Sequence, residues 1–227
     1  MFDKKLKHIT ILPGDGIGPE VIAQAVKTIQ AIGYRYNHEF TFDTAVIGAK
    51  AIDETGLPLP AETLEKCKKA DAILLGAIGD PKYDNDPDAL IRPEQGLLAL
   101  RKQLQMFANI RPIKVYEKLK HLSPLKNDRL KNVNLIIYRE LTGGIYFGKK
   151  GRYEDGKIAY DHCVYSENEI KRIARLAFKS AMERRKKLCL VDKANVLETS
   201  RLWRSVVRSI ALEYPEIETS YLYIDNA

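Results

Sequence analysis

Short apolar runs of strand length alternate with amphipathic segments of helix length along most of the chain, and this alternation constrains the fold more than any other feature. His8–Leu12 is a short apolar run, and the glycine-rich turn Pro13–Gly18 follows it. A helix is predicted from Pro19 to Ile32, where Val21, Ile22, Ala25, Val26, Ile29 and Ile32 fall at helical spacing. Pro19 suits the first turn and Gly33 the C-cap. Phe40–Ile47 and Asp71–Ile78 read as strands, the second almost wholly apolar and so expected to be buried. Ala61–Ala70 and Gln95–Phe107 read as helices. Val133–Tyr138 and Leu188–Val191 are expected as buried strands, Leu197–Tyr214 as a helix closed before Pro215, and Ile217–Ile224 as a last strand. The succession implies an α/β sheet architecture.

One stretch departs from it. Gly143–Tyr165 carries turn signals at Gly143-Gly144 and Asp155-Gly156, with Ile145–Phe147 and Lys157–Tyr165 as expected β segments, and reads as a β excursion from the α/β body. Ser166 then opens a helix, with Glu169 three residues on as a capping box and Ile170, Ile173, Ala174, Ala177, Phe178, Ala181 and Met182 as its buried stripe.

Charge is uneven. Residues 1–110 carry 13 Lys/Arg against 15 Asp/Glu, a net of −2, while residues 111–227 carry 24 against 15, a net of +9. A basic half attracts nucleic acid or an anionic substrate. The cations are mixed with apolar positions on segments such as Lys171–Lys187, which also describes a solvated helix face, and no aromatic-interleaved basic stripe accompanies them. No apolar run reaches the roughly 18 residues of a membrane helix, and the charged start Met1–Lys7 lacks the apolar core of a signal peptide. Cys67, Cys163 and Cys189 are far apart and form no metal motif. A reducing cytoplasm is the expected location.

Several residues are candidates for chemistry, each with a plainer reading. The cluster Gly14-Asp15-Gly16-Ile17-Gly18 spaces its glycines GxGxG, not as the dinucleotide fingerprint, and a tight turn accounts for it equally well. Arg101, Arg111 and Arg139 stand near turns or strand ends, where a guanidinium could grip a carboxylate with two hydrogen bonds or lie in a surface ion pair. Lys193 follows a strand, at the edge where α/β sheets bind ligands. If partly desolvated there, it could act as a base. Tyr146 is a proton donor or a packing aromatic. Asp225 could offer one oxygen donor to a hard cation.

Longer strings are more specific. Leu12-Pro-Gly-Asp-Gly-Ile-Gly-Pro-Glu20 resembles the opening of the isocitrate and isopropylmalate dehydrogenase superfamily. Arg92-Pro-Glu-Gln-Gly-Leu-Leu98, Arg139-Glu-Leu-Thr-Gly-Gly-Ile-Tyr-Phe-Gly148, Val191-Asp-Lys-Ala-Asn-Val196 and Tyr223-Ile-Asp-Asn-Ala227 are similar to its 3-isopropylmalate dehydrogenase branch. The resemblance runs from Ile9 to the C-terminus.

It implies a two-domain α/β fold distinct from the Rossmann fold, truncated here. The first domain would be residues 1–107 and the second residues 108–227, with an arm at 143–165 that interlocks two subunits. The implied activity is NAD-dependent oxidation and decarboxylation of 3-isopropylmalate in a cleft between domains, with Mg²⁺ or Mn²⁺ as Lewis acid. Arg101, Arg111 and Arg139 would bind the substrate carboxylates and Leu97 its isopropyl group, where isocitrate enzymes place a polar residue. Lys193 and Tyr146 would transfer protons, and Asp225 would ligate the metal. Asp80, Pro81, Lys82, Glu94 and Asn195 would contact the cofactor. Lys193 and Asp225 would serve the partner's site, making a homodimer the catalytic unit. The resemblance covers roughly the first two-thirds of the family's chain, so this chain alone is expected to be inactive. The alternatives are a homoisocitrate or tartrate/malate dehydrogenase on the same scaffold, and a non-catalytic binding or assembly module.

Overall fold

A computed structural model describes residues 6–85 and 89–227; residues 1–5 of the charged start lie outside the described residues. The chain divides into two compact units, Met1–Leu104 and Gln105–Ala227.

The first unit is built on a parallel sheet in the order β2-β1-β3, from β1 (Leu6–Gly14), β2 (Glu39–Thr44) and β3 (Ala72–Ala77). Parallel neighbours need a crossover. Helix α1 (Gly18–Tyr36) supplies the first, and α2 (Ala49–Thr55) with α3 (Ala61–Lys69) the second. Paired on both edges, β1 is the buried strand, with Ile9, Thr10, Ile11 and Leu12 inside. Its Leu12 packs with Ala45, Ile47, Cys67 and Leu100, the last from α5 (Pro93–Gln103). The apolar β3 is only half-buried, contrary to expectation, because among the described strands it pairs on one edge alone.

The glycine turn after β1 is a packing requirement. Gly14 has φ +71°, and a Cβ there would lie 1.9 Å from the Ala77 carbonyl oxygen. A Cβ on Gly18 would lie 2.1 Å from the Pro13 carbonyl oxygen. Both positions therefore exclude any side chain. Gly33, expected as a C-cap, is instead inside α1; the helix continues to Tyr36 and is capped by Asn37 in the left-handed region. Asn tolerates that conformation through its short polar side chain.

The second unit contains an antiparallel pair, β4 (Ala108–Lys114) with β5 (Asn134–Glu140), a hairpin of β6 (Lys150–Tyr153) and β7 (Ile158–Asp161), and a parallel pair, β8 (Lys187–Asp192) with β9 (Glu218–Tyr223). Helices α6 (Glu167–Met182) and α7 (Glu198–Ala211) pack together through Ile170, Ala174, Phe178, Ala181, Val206, Val207 and Ile210. The capping box holds: Ser166 Oγ accepts the Glu169 N–H at 3.3 Å, and Glu169 Oε2 accepts the Ser166 N–H at 2.7 Å.

Four expectations need correction here. Ile145–Phe147 is not a strand; Gly144–Tyr146 forms a 3-10 turn, closed by the Phe147 N–H donating to the Gly144 carbonyl at 3.3 Å. The helix expected to reach Phe107 ends at Gln103, and Ala108–Lys114 is a strand despite Pro112, which an edge position tolerates. Strands β5 and β8 are not buried throughout. Leu135, Ile137 and Val191 are exposed, while Ile136, Tyr138, Leu188 and Leu190 turn inward, the period-two alternation of a sheet covered on one face. Among the described residues no helix is long and apolar enough to cross a membrane.

Candidate active site

In the first unit, Asp15 is the organising residue. Its buried carboxylate accepts the N–H groups of Ala49 at 2.9 Å, Lys50 at 3.0 Å and Gly79 at 2.9 Å. One side chain thereby ties the glycine turn, the start of α2 and the loop after β3. That loop carries Asp80, whose side chain accepts the Lys82 N–H at 3.0 Å and caps the short helix α4 (Pro81–Asp84). Lys82 Nζ donates to Asp53 at 2.6 and 2.5 Å, and Tyr83 donates to the same carboxylate at 2.7 Å. The hydrogen bonds from Lys82 and Tyr83 hold the Asp53 carboxyl below its ordinary range. The Lys82 ammonium is therefore already engaged within its own unit.

Glu94, Leu97 and Arg101 lie on α5 at spacings of three and four, which sets them on one helical face. Glu94 reaches the loop: a Cβ on Gly79, which has φ +125°, would lie 3.1 Å from Glu94 Oε1. Three of the expected contributors, the Asp80 loop, Glu94 and Leu97, thus share one neighbourhood.

In the second unit, Asn109 faces Arg139 and Arg111 faces Ile137 across β4 and β5. Alternation then sets Arg111 and Arg139 on the same face. Arg111 donates to Asn109, and the Arg139 guanidinium lies 5.5 Å from the Tyr146 ring centroid. Two cations and a phenol are gathered at one place, a suitable grip for an anion.

Lys193 and Asp225 form a separate pair. Asp192 stands opposite Tyr223 at the ends of β8 and β9, and just beyond, the Lys193 ammonium donates to both oxygens of Asp225. This bond holds the Asp225 carboxyl low. Asn195 is exposed in the turn that follows. Among the described residues no group of three or more His, Cys, Asp and Glu side chains could hold a metal. A divalent cation needs several oxygens, so one carboxylate bound to an ammonium does not make such a site, and no chemical step is assigned to a metal here.

Buried acids beside the candidate cations were missed in the sequence reading. Glu140, next to Arg139, receives Arg172 of α6, and Asp192, next to Lys193, receives Arg204 of α7. Their sequence signal is adjacency: at a strand end, neighbours point to opposite faces, so an acid beside an outward cation is turned inward.

Residues 8–227 match the model of the isocitrate/isopropylmalate dehydrogenase family. Over 222 residues the chain is 53% identical to the 3-isopropylmalate dehydrogenase of Clostridium acetobutylicum, covering 96% of this chain and 62% of that one. Over 225 residues it is 52% identical to the 3-isopropylmalate dehydrogenase of Bacillus subtilis, covering 97% and 61%. The crystal structure of isocitrate dehydrogenase from Methylococcus capsulatus superimposes with a TM-score of 0.78 at 32% identity, covering 96% of this chain and 61% of that chain. The chain thus spans about 62% of the length of the curated relatives it matches.

Proposed function

The chain belongs to the isocitrate/isopropylmalate dehydrogenase family, and from that premise we propose that the whole protein oxidises and decarboxylates 3-isopropylmalate to 4-methyl-2-oxopentanoate, with NAD as hydride acceptor, in leucine biosynthesis. The observation that carries this reading is the α5 face on which Leu97 stands between Glu94 and Arg101. A carboxylate there can accept hydrogen bonds from ribose hydroxyls of the cofactor, as acidic residues do in other dinucleotide sites. A guanidinium clamps a substrate carboxylate. The side chain between them is apolar, which suits an isopropyl group. The third carboxylate of isocitrate would meet no donor from Leu97, and an unpaired buried charge is costly.

On this reading Arg101, Arg111 and Arg139 orient the substrate. Lys193 takes part in removing the hydroxyl proton, and Tyr146, beside Arg139, returns a proton to carbon after CO₂ leaves. Asp80, Pro81, Lys82 and Asn195 complete the cofactor contacts. The family reaction also uses Mg²⁺ or Mn²⁺, to which Asp225 would contribute one ligand. The residues before Ala108 make up a first domain and those from Ala108 a second. The β6–β7 hairpin, with the Tyr153 and Tyr160 rings 6.0 Å apart on it, serves as the arm of a cytoplasmic homodimer.

The test is turnover by the whole protein of 3-isopropylmalate, isocitrate, homoisocitrate and malate in parallel. The proposal expects 3-isopropylmalate to have the highest kcat/KM, and a preference for any of the others removes it.

A further inference from the structure

Asp192 and Lys193 are consecutive at the end of β8, yet they face opposite environments. The Asp192 side chain is 4% exposed and receives the Arg204 guanidinium as a fork, Nε to Oδ2 at 2.9 Å and Nη2 to Oδ1 at 2.8 Å. The same carboxylate accepts the Ala194 N–H at 2.9 Å. The Lys193 N–H donates to Ser200 Oγ at 3.2 Å, and its carbonyl accepts the N–H groups of Val196 and Leu197 at 3.0 and 2.9 Å. The backbone is pinned on both sides of the Lys193 Cα, while its ammonium meets Asp225.

Arg204 also acts on the other strand. Its guanidinium lies 4.9 Å from the ring centroid of Tyr223 and 5.5 Å from that of Tyr221, both on β9, whose end leads into Asp225. One planar group therefore touches the supports of both partners: the acid that precedes Lys193 and the aromatic that stands two residues before Asp225.

We propose that Arg204 is a positioning residue that sets Lys193 against Asp225, by locking Asp192 from one side and stacking on Tyr223 from the other. The inference rests on reading Lys193 as a proton-transfer residue. A rigid fork that satisfies a buried carboxylate and stacks on an aromatic face allows few geometries, whereas a lysine in its place would give a point charge without fork or stack. Ser200 and Arg204 both come from α7, so the helix and the turn carrying Lys193 are fixed as one piece.

The test is carbodiimide condensation on the 227-residue chain. The reagent activates the Asp225 carboxyl, the Lys193 amine displaces the activating group to form an amide, and the linked peptides are quantified by mass spectrometry. Lys187 and Glu218, 2.7 Å apart at the opposite end of the same two strands, give an internal control. Arg204→Met removes fork and charge; Arg204→Lys keeps the charge beside Asp192 and decides the matter if the first variant does not fold. The expected result for Arg204→Lys is a fall in the 193–225 link of about two- to ten-fold, the lower part of the range for coupling within a shared hydrogen-bond network, with the 187–218 link unchanged. An unchanged 193–225 link overturns the proposal. So does a parallel fall of both links, which would make Arg204 a general staple of the sheet. The cross-link requires no turnover, so its result is separate from the role of Lys193, which fails instead if Lys193→Met keeps normal turnover.

Discussion

Glu140 and Arg172 close a fork between β5 and α6: Nη2 donates to Oε1 at 2.6 Å and Nε to Oε2 at 3.2 Å, with the Glu140 side chain 1% exposed. The carboxylate also accepts the N–H and hydroxyl of Thr142, each at 2.9 Å. Removing the arginine would leave a buried charge only partly satisfied. Arg172→Met is expected to destabilise the chain by about 3 kcal/mol, the lower end for breaking a buried pair, because the arginine is partly exposed. Denaturant titration checks this, and the double variant Glu140→Gln/Arg172→Met should lose less than the sum of the two single changes.

Asp15→Ala strands three backbone donors at once. The expected loss is about 2–3 kcal/mol, that of a buried hydrogen-bonded charge. The amides of Ala49, Lys50 and Gly79 should be the ones whose hydrogen exchange accelerates most, since each donates to that carboxylate. Equal acceleration across the unit would mean that Asp15 is an ordinary core residue.

Leu97→Ser in the whole protein is expected to lower kcat/KM for 3-isopropylmalate by about 10- to 200-fold, the value of one or two methyl-sized contacts. Steady-state kinetics on that substrate measures it. An unchanged value would take away the apolar-contact argument for this substrate.

Tyr146→Phe and Lys193→Met, also in the whole protein, should each lower kcat by about 10²- to 10⁴-fold, the usual contribution of general acid–base groups. NAD affinity, measured by fluorescence titration, should hardly change. A near-normal kcat in either variant would show that its role is misassigned.

Acid should loosen the surface ion pairs in a defined window. Hydrogen bonds from lysine or arginine partners hold the Asp53, Asp71 and Asp225 carboxyls below their ordinary 3.8, and that of Glu213 below 4.5. A carboxyl lowered by folding stabilises the fold above its unfolded value and ceases to do so as pH falls through the folded one. Stability from these pairs is therefore full above pH 4.5 and declines as pH drops below 3.8. At the other end, Asp53 raises Lys82 above 10.5, so its share persists up to that pH and fades beyond. Melting curves across pH check both limbs, and a Tm that rises on acidification below 3.8 would contradict the sign.

Much of the α/β body was legible in the sequence because periodicity reports which face of an element is covered. The Ser166–Glu169 cap and the α6 stripe are local signals; the cap is met, and of the stripe Ile170, Ile173, Ala174, Phe178 and Ala181 are buried while Ala177 and Met182 are half-buried. Helix α2 was missed because seven residues with two buried alanines, Ala49 and Ala51, barely complete two turns of pattern. Strand β4 was missed because Arg111-Pro112 looks like a break, and edge placement is a tertiary fact. The candidate residues were found through resemblance. Their supports were not, since nothing local indicates that Asp15 would meet Gly79, or that Arg204 would reach back to Asp192, across 64 and 12 residues.

Gly14 leaves the junction of β1 with β3 without a mutational neighbour: every amino-acid substitution there brings a Cβ against a backbone carbonyl. The nearby loop at 80–85 is a different case, since its side chains lie mostly exposed. Variation at this edge of the sheet is open to the exposed side chains after β3, while residue 14 stays fixed. A library randomised at residue 14 should return glycine alone, and one randomised over 82–85 should return many folded sequences, so the side chains after β3 can change while the frame beneath them stays the same.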